Sequence, residues 1–315
     1  MIRVNDFAPS SEPMTLFGKR VTTKKSDGFA AIFERTVLVV DSGTEDDYGI
    51  LNYLLGLRET WLSQHPHLLE DPQAKLAISL FITHAHKDHI PAVFHLVRHP
   101  FIWVEKVFAP PRADLADTGQ NPILIQSENQ FRMLQEELQR YGHAAQISHL
   151  SFGEHRIIPL SSHNRMDIFT PPFDWSNGEG YELILKENVR FANPEAAECN
   201  GVLNNNSIWL KLTFNGQSVL FTGDQRDNSL AVDHMIQFHG PDKFKCDVLT
   251  YIHHGEGRYS QYLSDATQAK FTIFTSLKKY ILPQALDAAE HYGTACYTEN
   301  EDLILHLNGK TITKA

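Results

Sequence analysis

Apolar residues fall along this chain in short runs broken by polar turns. Residues 28–34 ("GFAAIFE") and 36–43 ("TVLVVDSG") predict two strands separated by a tight polar turn. Residues 47–62 repeat apolar side chains at helical spacing, whereas "LAISLFIT" (76–83) is apolar on both alternating faces, as in a strand buried on both sides. A short helix over "HIPAVFHLVRHP", a strand over "FIWVEKVFAP" and an amphipathic helix over 121–143, which Gly142 helps to stop, follow.

The second half repeats the alternation. "QISHLSF", "HRIIPL" and "MDIFTPP" predict a run of strands. Residues 173–206 are polar and rich in Gly, Asn and Glu, too long for an idle connection, and predict a functional loop or inserted segment. Residues 207–224 predict a hairpin around Asn215–Gly216. A helix ("SLAVDHMIQFHG"), a strand ("CDVLTYIHHG"), a helix, a strand ("KFTIFTS"), a helix ("LPQALDAAEHYG") and a closing pair, "ACYTE" and "LILHLNGKTITK", complete the chain. Helices interspersed with strands in both halves predict one α/β domain over residues 1–315, an αββα sandwich of two mixed β-sheets flanked by helices.

Composition narrows the classes. With 315 residues, 42% of them apolar, the chain can bury one large core or two small ones, and no linker divides it. No apolar run approaches the roughly 18 residues of a membrane span, and the N-terminus lacks a basic start followed by an apolar stretch. Cys199, Cys246 and Cys296 are an odd number without close spacing, which argues against a disulfide framework; Cys246 opens an apolar strand and reads as a buried thiol. These features predict a cytoplasmic protein with no membrane partner. The net charge of −10 counts against tight non-specific nucleic-acid binding. A bound pair of divalent ions would restore about four positive charges at one spot, enough to draw a phosphodiester there.

The densest chemistry is "HAHKDH", where His84, His86, Asp88 and His89 occupy six positions at the end of the 76–83 strand. Residues two apart in extended chain face one side, so His84 and His86 can grip one ion. The following turn lets Asp88 and His89 reach a second position. Nitrogen and oxygen donors in this mixture suit Zn²⁺, with Mn²⁺ or Fe also compatible. Surface histidines at a strand-to-helix turn would be the bland reading, but four chelators in six residues rarely arise that way. Three more apolar strands end on a polar donor: Asp41, Asp224, and the pair His253 and His254. Each alone reads as a turn or helix cap; together they read as a site, with a distant carboxylate placed to bridge two ions.

"HAHKDH" resembles the H-x-H-x-D-H signature of metallo-β-lactamase-fold hydrolases, with Asp41, Asp224 and His253/His254 at that family's other motif positions. "NNNSIWLKLTFNGQSVLFTGD", "DVLTYIHHG" and the tail resemble more narrowly the metallo-β-lactamase domain of competence DNA-uptake (ComEC-like) proteins; the likeness runs over about residues 28–312. The resemblance implies that His84 and His86 bind one ion, Asp88 and His89 the other, that Asp224 bridges, and that His254 completes the second site. His253 then becomes a hydrogen-bond donor or proton shuttle, and Asp41 orients ligands rather than touching metal. The alternative, His253 as ligand, stays open. The cofactor implied is Zn²⁺ or Mn²⁺, as two ions or as one.

The chain departs from the family in places. The family at large has a further histidine that completes the first site, which the DNA-uptake branch often lacks, leaving a lopsided or single-ion site open. His143, His149, His155 and His163 are the candidates here, with His163 in "LSSHNRMDI" the best of the four. "HHG" continues as "EGRYSQYL", and "KKYILP" replaces a later family segment. Asn205 and Asn206, in "NNN" at the start of a strand, are candidates to hold a substrate oxygen, although closing a loop explains them equally. Arg226, Lys278 and Lys279 could meet an anion but read first as solvated charge; "WSNGEGY" (175–181) could stack a base or pack a loop tip.

The function predicted is metal-dependent hydrolysis of a phosphodiester in DNA, RNA or a nucleotide by a metal-activated water, with Asp88 or His253 handling protons. The ComEC-like branch surrounds this domain with membrane segments that this sequence lacks, so a freestanding enzyme or the effector subunit of a larger assembly is expected. The alternatives are hydrolysis of small carboxylic esters such as lactones or thioesters, and a non-catalytic, metal-stabilised binding module.

Overall fold

The computed structural model describes residues 1–9, 13–21, 25–112, 122–161, 163–175, 201–225, 231–256, 259–299, 301–309 and 311–314. A first sheet is built from β1 (Ile2–Arg3), β2 (Met14–Gly18), β3 (Phe29–Phe33), β4 (Thr36–Val40), β5 (Ala74–Phe81), β6 (Ile102–Ala109), β7 (Ile147–His149), β15 (Leu303–Leu307) and β16 (Ile312–Lys314). Its order is β16-β15-β2-β3-β4-β5-β6-β7, with β1 beside β5. The second sheet, in order β14-β13-β12-β11-β10-β9-β8, holds β8 (His155–Pro159), β9 (Arg165–Phe169), β10 (Trp209–Phe214), β11 (Gln217–Phe221), β12 (Val248–Thr250), β13 (Phe271–Phe274) and β14 (Thr294–Tyr297).

Period-two alternation divides the strands' apolar side chains between layers. In β4, Leu38 and Val40 face the other sheet, while Val37 and Val39 face helices. In β11, Val219 and Phe221 enter the inter-sheet core and Leu220 points outward. Helices α1 (Gly49–Leu62), α2 (Val93–Arg98) and α3 (Pro122–Arg140) cover the first sheet through Leu54, Trp61, Leu96, Phe131 and Leu134. Helices α4 (Ala231–His239), α5 (Gln261–Thr267) and α6 (Pro283–Tyr292) cover the second through Val232, Met235, Leu263, Ala285 and Ala289. The result is the αββα sandwich of two mixed sheets.

Two differences from the sequence reading stand out. β1 and β2 were not predicted; β2 is a short run whose strand identity comes from pairing with β3 on one side and β15 on the other. "NNN" does not begin a strand: residues 201–205 are helical, and β10 starts at Trp209. Most of the predicted 173–206 insertion lies outside the described residues.

β4, β5, β6 and β7 run parallel in the first sheet, and β11, β12, β13 and β14 in the second. Parallel strands leave their loops at one shared end, the usual place for a ligand in such sheets. The loops after β4, β5, β11 and β12 meet there.

Candidate metal centre

β5 delivers Thr83, His84 and the 86–89 turn; β11 delivers Asp224; β12 delivers His253 and His254. Asp41, just after β4, joins them, and three of the site's residues hold backbone rare for a side-chain-bearing residue, with φ of 50° at Asp41, 46° at His253 and 60° at His254. Such outliers persist where surrounding structure enforces them, and they cluster at functional sites. At His253 and His254 the neighbouring Gly255, also at positive φ, completes a tight reversal beneath Phe274.

Two groups of donor atoms result, each within 4.8 Å: His84, His86 and Asp224; and Asp27, His89, Asp224 and His254. Asp224 belongs to both and is wholly buried. His89 Nε2 lies 3.3 Å from its Oδ1, and His254 Nε2 lies 3.2 Å from its Oδ2. His84 Nε2 is 3.1 Å from His86 Nδ1 and 4.0 Å from Asp224. Asp88 joins neither group; its Oδ2 lies 3.5 Å from His254 Nε2 and 3.4 Å from Lys25 Nζ.

The far ring nitrogens explain why these imidazoles point as they do. His89 Nδ1 donates to Asp41 at 2.9 Å, and Asp41 also accepts from the Thr83 amide at 2.9 Å and its hydroxyl at 2.6 Å. His254 Nδ1 donates to Asp27 at 3.1 Å. His84 Nδ1 donates to the Thr83 hydroxyl at 3.1 Å, since that hydroxyl gives its own proton to Asp41. Each bond leaves Nε2 as the donor atom facing Asp224, the arrangement by which carboxylates and hydroxyls orient metal-binding histidines. We therefore assign Asp27, despite its proximity to the second group, to orienting His254.

The residues fit a metal. Buried atoms left without a hydrogen-bond partner include His86 Nε2, His89 Nε2, His254 Nε2 and both Asp224 carboxylate oxygens. Buried polar atoms are rarely left unpaired, and these converge on one spot with the donor set of a zinc- or manganese-type site. Electrostatics agree. Burial opposes charge on His89 and His254, yet Asp224, with Asp41 and Asp27 respectively, holds both well above the ordinary imidazole pKa. Burial likewise opposes ionisation of Asp224, but His254, His89 and Lys25 keep it well below the carboxylate range. The pocket attracts positive charge.

His253 lies beside the cluster. Its Nδ1 donates to the Glu256 carbonyl at 2.9 Å, so Nε2 carries the lone pair, 3.4 Å from Lys25 Nζ. Burial lowers its pKa to about 4. Asn206 accepts from the Trp175 amide and donates to Asp174, both at 3.0 Å, and shares a small cavity with His84. The Asn205 carbonyl accepts from the side chain of Gln225.

None of the four proposed completing histidines joins either group. His163 is exposed in the turn between β8 and β9. His143 is bonded to the Val97 carbonyl and the Val104 amide, His149 to the Pro110 carbonyl, and His155 to Asp167. Trp175 is buried and is not a stacking platform, while the rest of that segment, 176–181, and Arg226 lie outside the described residues; Lys278 and Lys279 are exposed. Sequence reasoning missed Asp27 and Lys25. Asp27 stands just before an apolar strand, at the end opposite to the one that drew notice.

No protein-family model matches this chain, and no curated protein matches its sequence. Among solved structures it is similar to the metallo-β-lactamase fold protein YhfI from Bacillus subtilis, at 12% identity and TM-score 0.47, covering 96% of this chain and 100% of that one. It is also similar to the short form of human tRNase Z (12%, TM-score 0.41, 84% of this chain and 92% of that one). A diphosphatase of the PhnP family is similar at 11% identity and TM-score 0.44, covering 93% and 98%. Two mixed sheets lie face to face with helices outside both, the αββα sandwich expected from the sequence, and the donors gather at the parallel strand ends.

Proposed function

We propose that this chain is a metal-dependent hydrolase of phosphodiesters, acting on DNA, RNA or a nucleotide. The observation that supports the hydrolytic reading is the convergence of the buried, unpartnered Nε2 atoms of His89 and His254 on the two unpartnered carboxylate oxygens of Asp224. The ComEC-like pattern of "NNNSIWLKLTFNGQSVLFTGD" and "HHG" favours the phosphodiester.

His84, His86 and Asp224 would hold one ion, and His89, His254, Asp88 and Asp224 a second. Bound there, such ions lower the pKa of water and stabilise charge developing on the substrate. Asp41 and Asp27 keep the His89 and His254 rings in one tautomer and orientation. Asp88 stays ionised: burial opposes it, but the close approach of His254, 3.5 Å away, and the neighbouring His89 hold its carboxyl well below the usual range. It is the group placed to take a proton from the attacking water. His253, neutral with its Nε2 lone pair on the Lys25 side, can pass a proton outward.

Cleavage of end-labelled single- and double-stranded DNA and of RNA, with Mn²⁺ or Zn²⁺, tests this reading. Wild type should cleave, and Asp88→Asn should be slower by about 10²–10⁴-fold. Turnover of chromogenic carboxylic esters with no phosphodiester cleavage would reassign the substrate and leave the metal chemistry standing.

A further inference from the structure

Lys25 stands outside every motif, yet it reaches the centre of the site. It forms a one-residue antiparallel bridge with Ser276, and the Ser26 amide donates to the Thr275 carbonyl at 3.3 Å. The segment before β3 is thus clamped against the loop after β13, between the two sheets. From there Lys25 Nζ lies 3.4 Å from Asp88 Oδ2, 3.8 Å from Asp224 Oδ2 and 3.4 Å from His253 Nε2.

Exposure shows which way this group faces. Asp224 is fully covered and the Asp88 side chain 10% exposed, whereas His253 is 20% and Lys25 25% exposed. Lys25 therefore sits on the solvent side of the donors, where a substrate would arrive. It carries an ammonium, the ordinary state of a lysine near neutral pH.

An ammonium beside carboxylates that would also serve divalent ions meets strong like-charge repulsion, because Coulomb energies are large at such distances in a partly buried site. Negative charge brought in by the substrate relieves that repulsion; a neutral ester does not. A lysine head is a compact point charge on a flexible stem, able to turn from Asp88 towards an incoming oxygen.

Building on the phosphodiesterase reading, we infer that Lys25 is the residue that selects anionic substrates, by donating to a non-bridging phosphoryl oxygen beside the metal centre. It favours phosphodiesters over neutral carboxylic esters and weakens metal binding in the absence of an anion.

Inorganic phosphate is the probe. It is titrated calorimetrically into the metal-loaded wild type, Lys25→Met and Lys25→Arg, and Mn²⁺ or Zn²⁺ is titrated into the metal-free forms. Loss of one charged hydrogen bond should weaken phosphate binding about tenfold or more in Lys25→Met, with Lys25→Arg recovering most of it. The same Lys25→Met should bind metal at least as tightly as wild type. Lys25→Gln, with a polar head on a shorter stem, serves in place of Lys25→Met if the latter does not melt cooperatively. Equal phosphate affinity in wild type and the uncharged variant overturns this role while leaving phosphodiester hydrolysis intact. A wild type that neither binds phosphate nor cleaves phosphodiesters, yet turns over neutral esters, overturns both.

Discussion

Asp27 accepts a hydrogen bond from His254 Nδ1 at 3.1 Å, joining residues 227 positions apart and turning His254 Nε2 towards Asp224. The bond mirrors the one between Asp41 and His89 on the other side of the centre. Asp27→Asn should therefore weaken metal binding by about 10- to 100-fold, the usual effect of losing a group that orients a ligand. Metal titration of the purified variant checks it, with circular dichroism to confirm the fold. An unchanged affinity would show that Thr275, which also meets His254 Nδ1 at 2.9 Å, is enough to hold the ring.

Asp224 belongs to both donor groups, whereas His84 belongs to one. Asp224→Ala should leave the purified protein almost free of metal, and His84→Ala should retain the ion held by His89 and His254. Elemental analysis after dialysis distinguishes them; equal metal loss in the two variants would mean a single shared site.

Gly223 sits at φ 58° just before Asp224, and a Cβ there would come within 2.9 Å of Thr83 Cβ and 3.1 Å of Ser207 Cβ. Gly223→Ala should cost roughly 1–3 kcal/mol, from backbone strain and crowding, and should also shift Asp224 enough to weaken metal binding. Thermal melting of the metal-free protein reads the first effect and metal titration the second. A melting temperature equal to wild type would refute the crowding argument.

Burial raises the Cys246 thiol to about 12 from an ordinary 9.0. The reactive species is the thiolate, so Cys246 should resist iodoacetamide at pH 8 in the folded chain and react readily in urea. Peptide mass spectrometry follows the site. The sign for stability is set by the same shift: the folded state holds the proton more tightly, so its advantage is complete below pH 9 and declines as pH rises towards 12. Alkylation at equal rates with and without denaturant would show that the thiol is reached through local opening.

Much of this molecule could be read along the chain, because the information is local. Apolar alternation placed most strands of the two sheets, and the abrupt ends of four apolar runs on Asp41, His84, Asp224 and His253–His254 marked one edge. The spacing in "HAHKDH" is itself chemistry, since side chains two apart in extended backbone share a face. What only the tertiary structure decided depends on which strand ends meet across the sandwich. Asp27 and Lys25 precede β3 and carry no motif; their roles come from the clamp of residues 25–27 against the loop after β13. His163 was a fair candidate by chain order, but the β8–β9 turn leaves it exposed and outside both donor groups. Asn206 follows a helical turn rather than opening a strand, and its side chain bonds the Trp175 amide and Asp174. A sequence displays donors and their local geometry. Which of them face one another is settled by sheet packing, because the partners lie as far as 227 residues apart and only the buried core fixes their register.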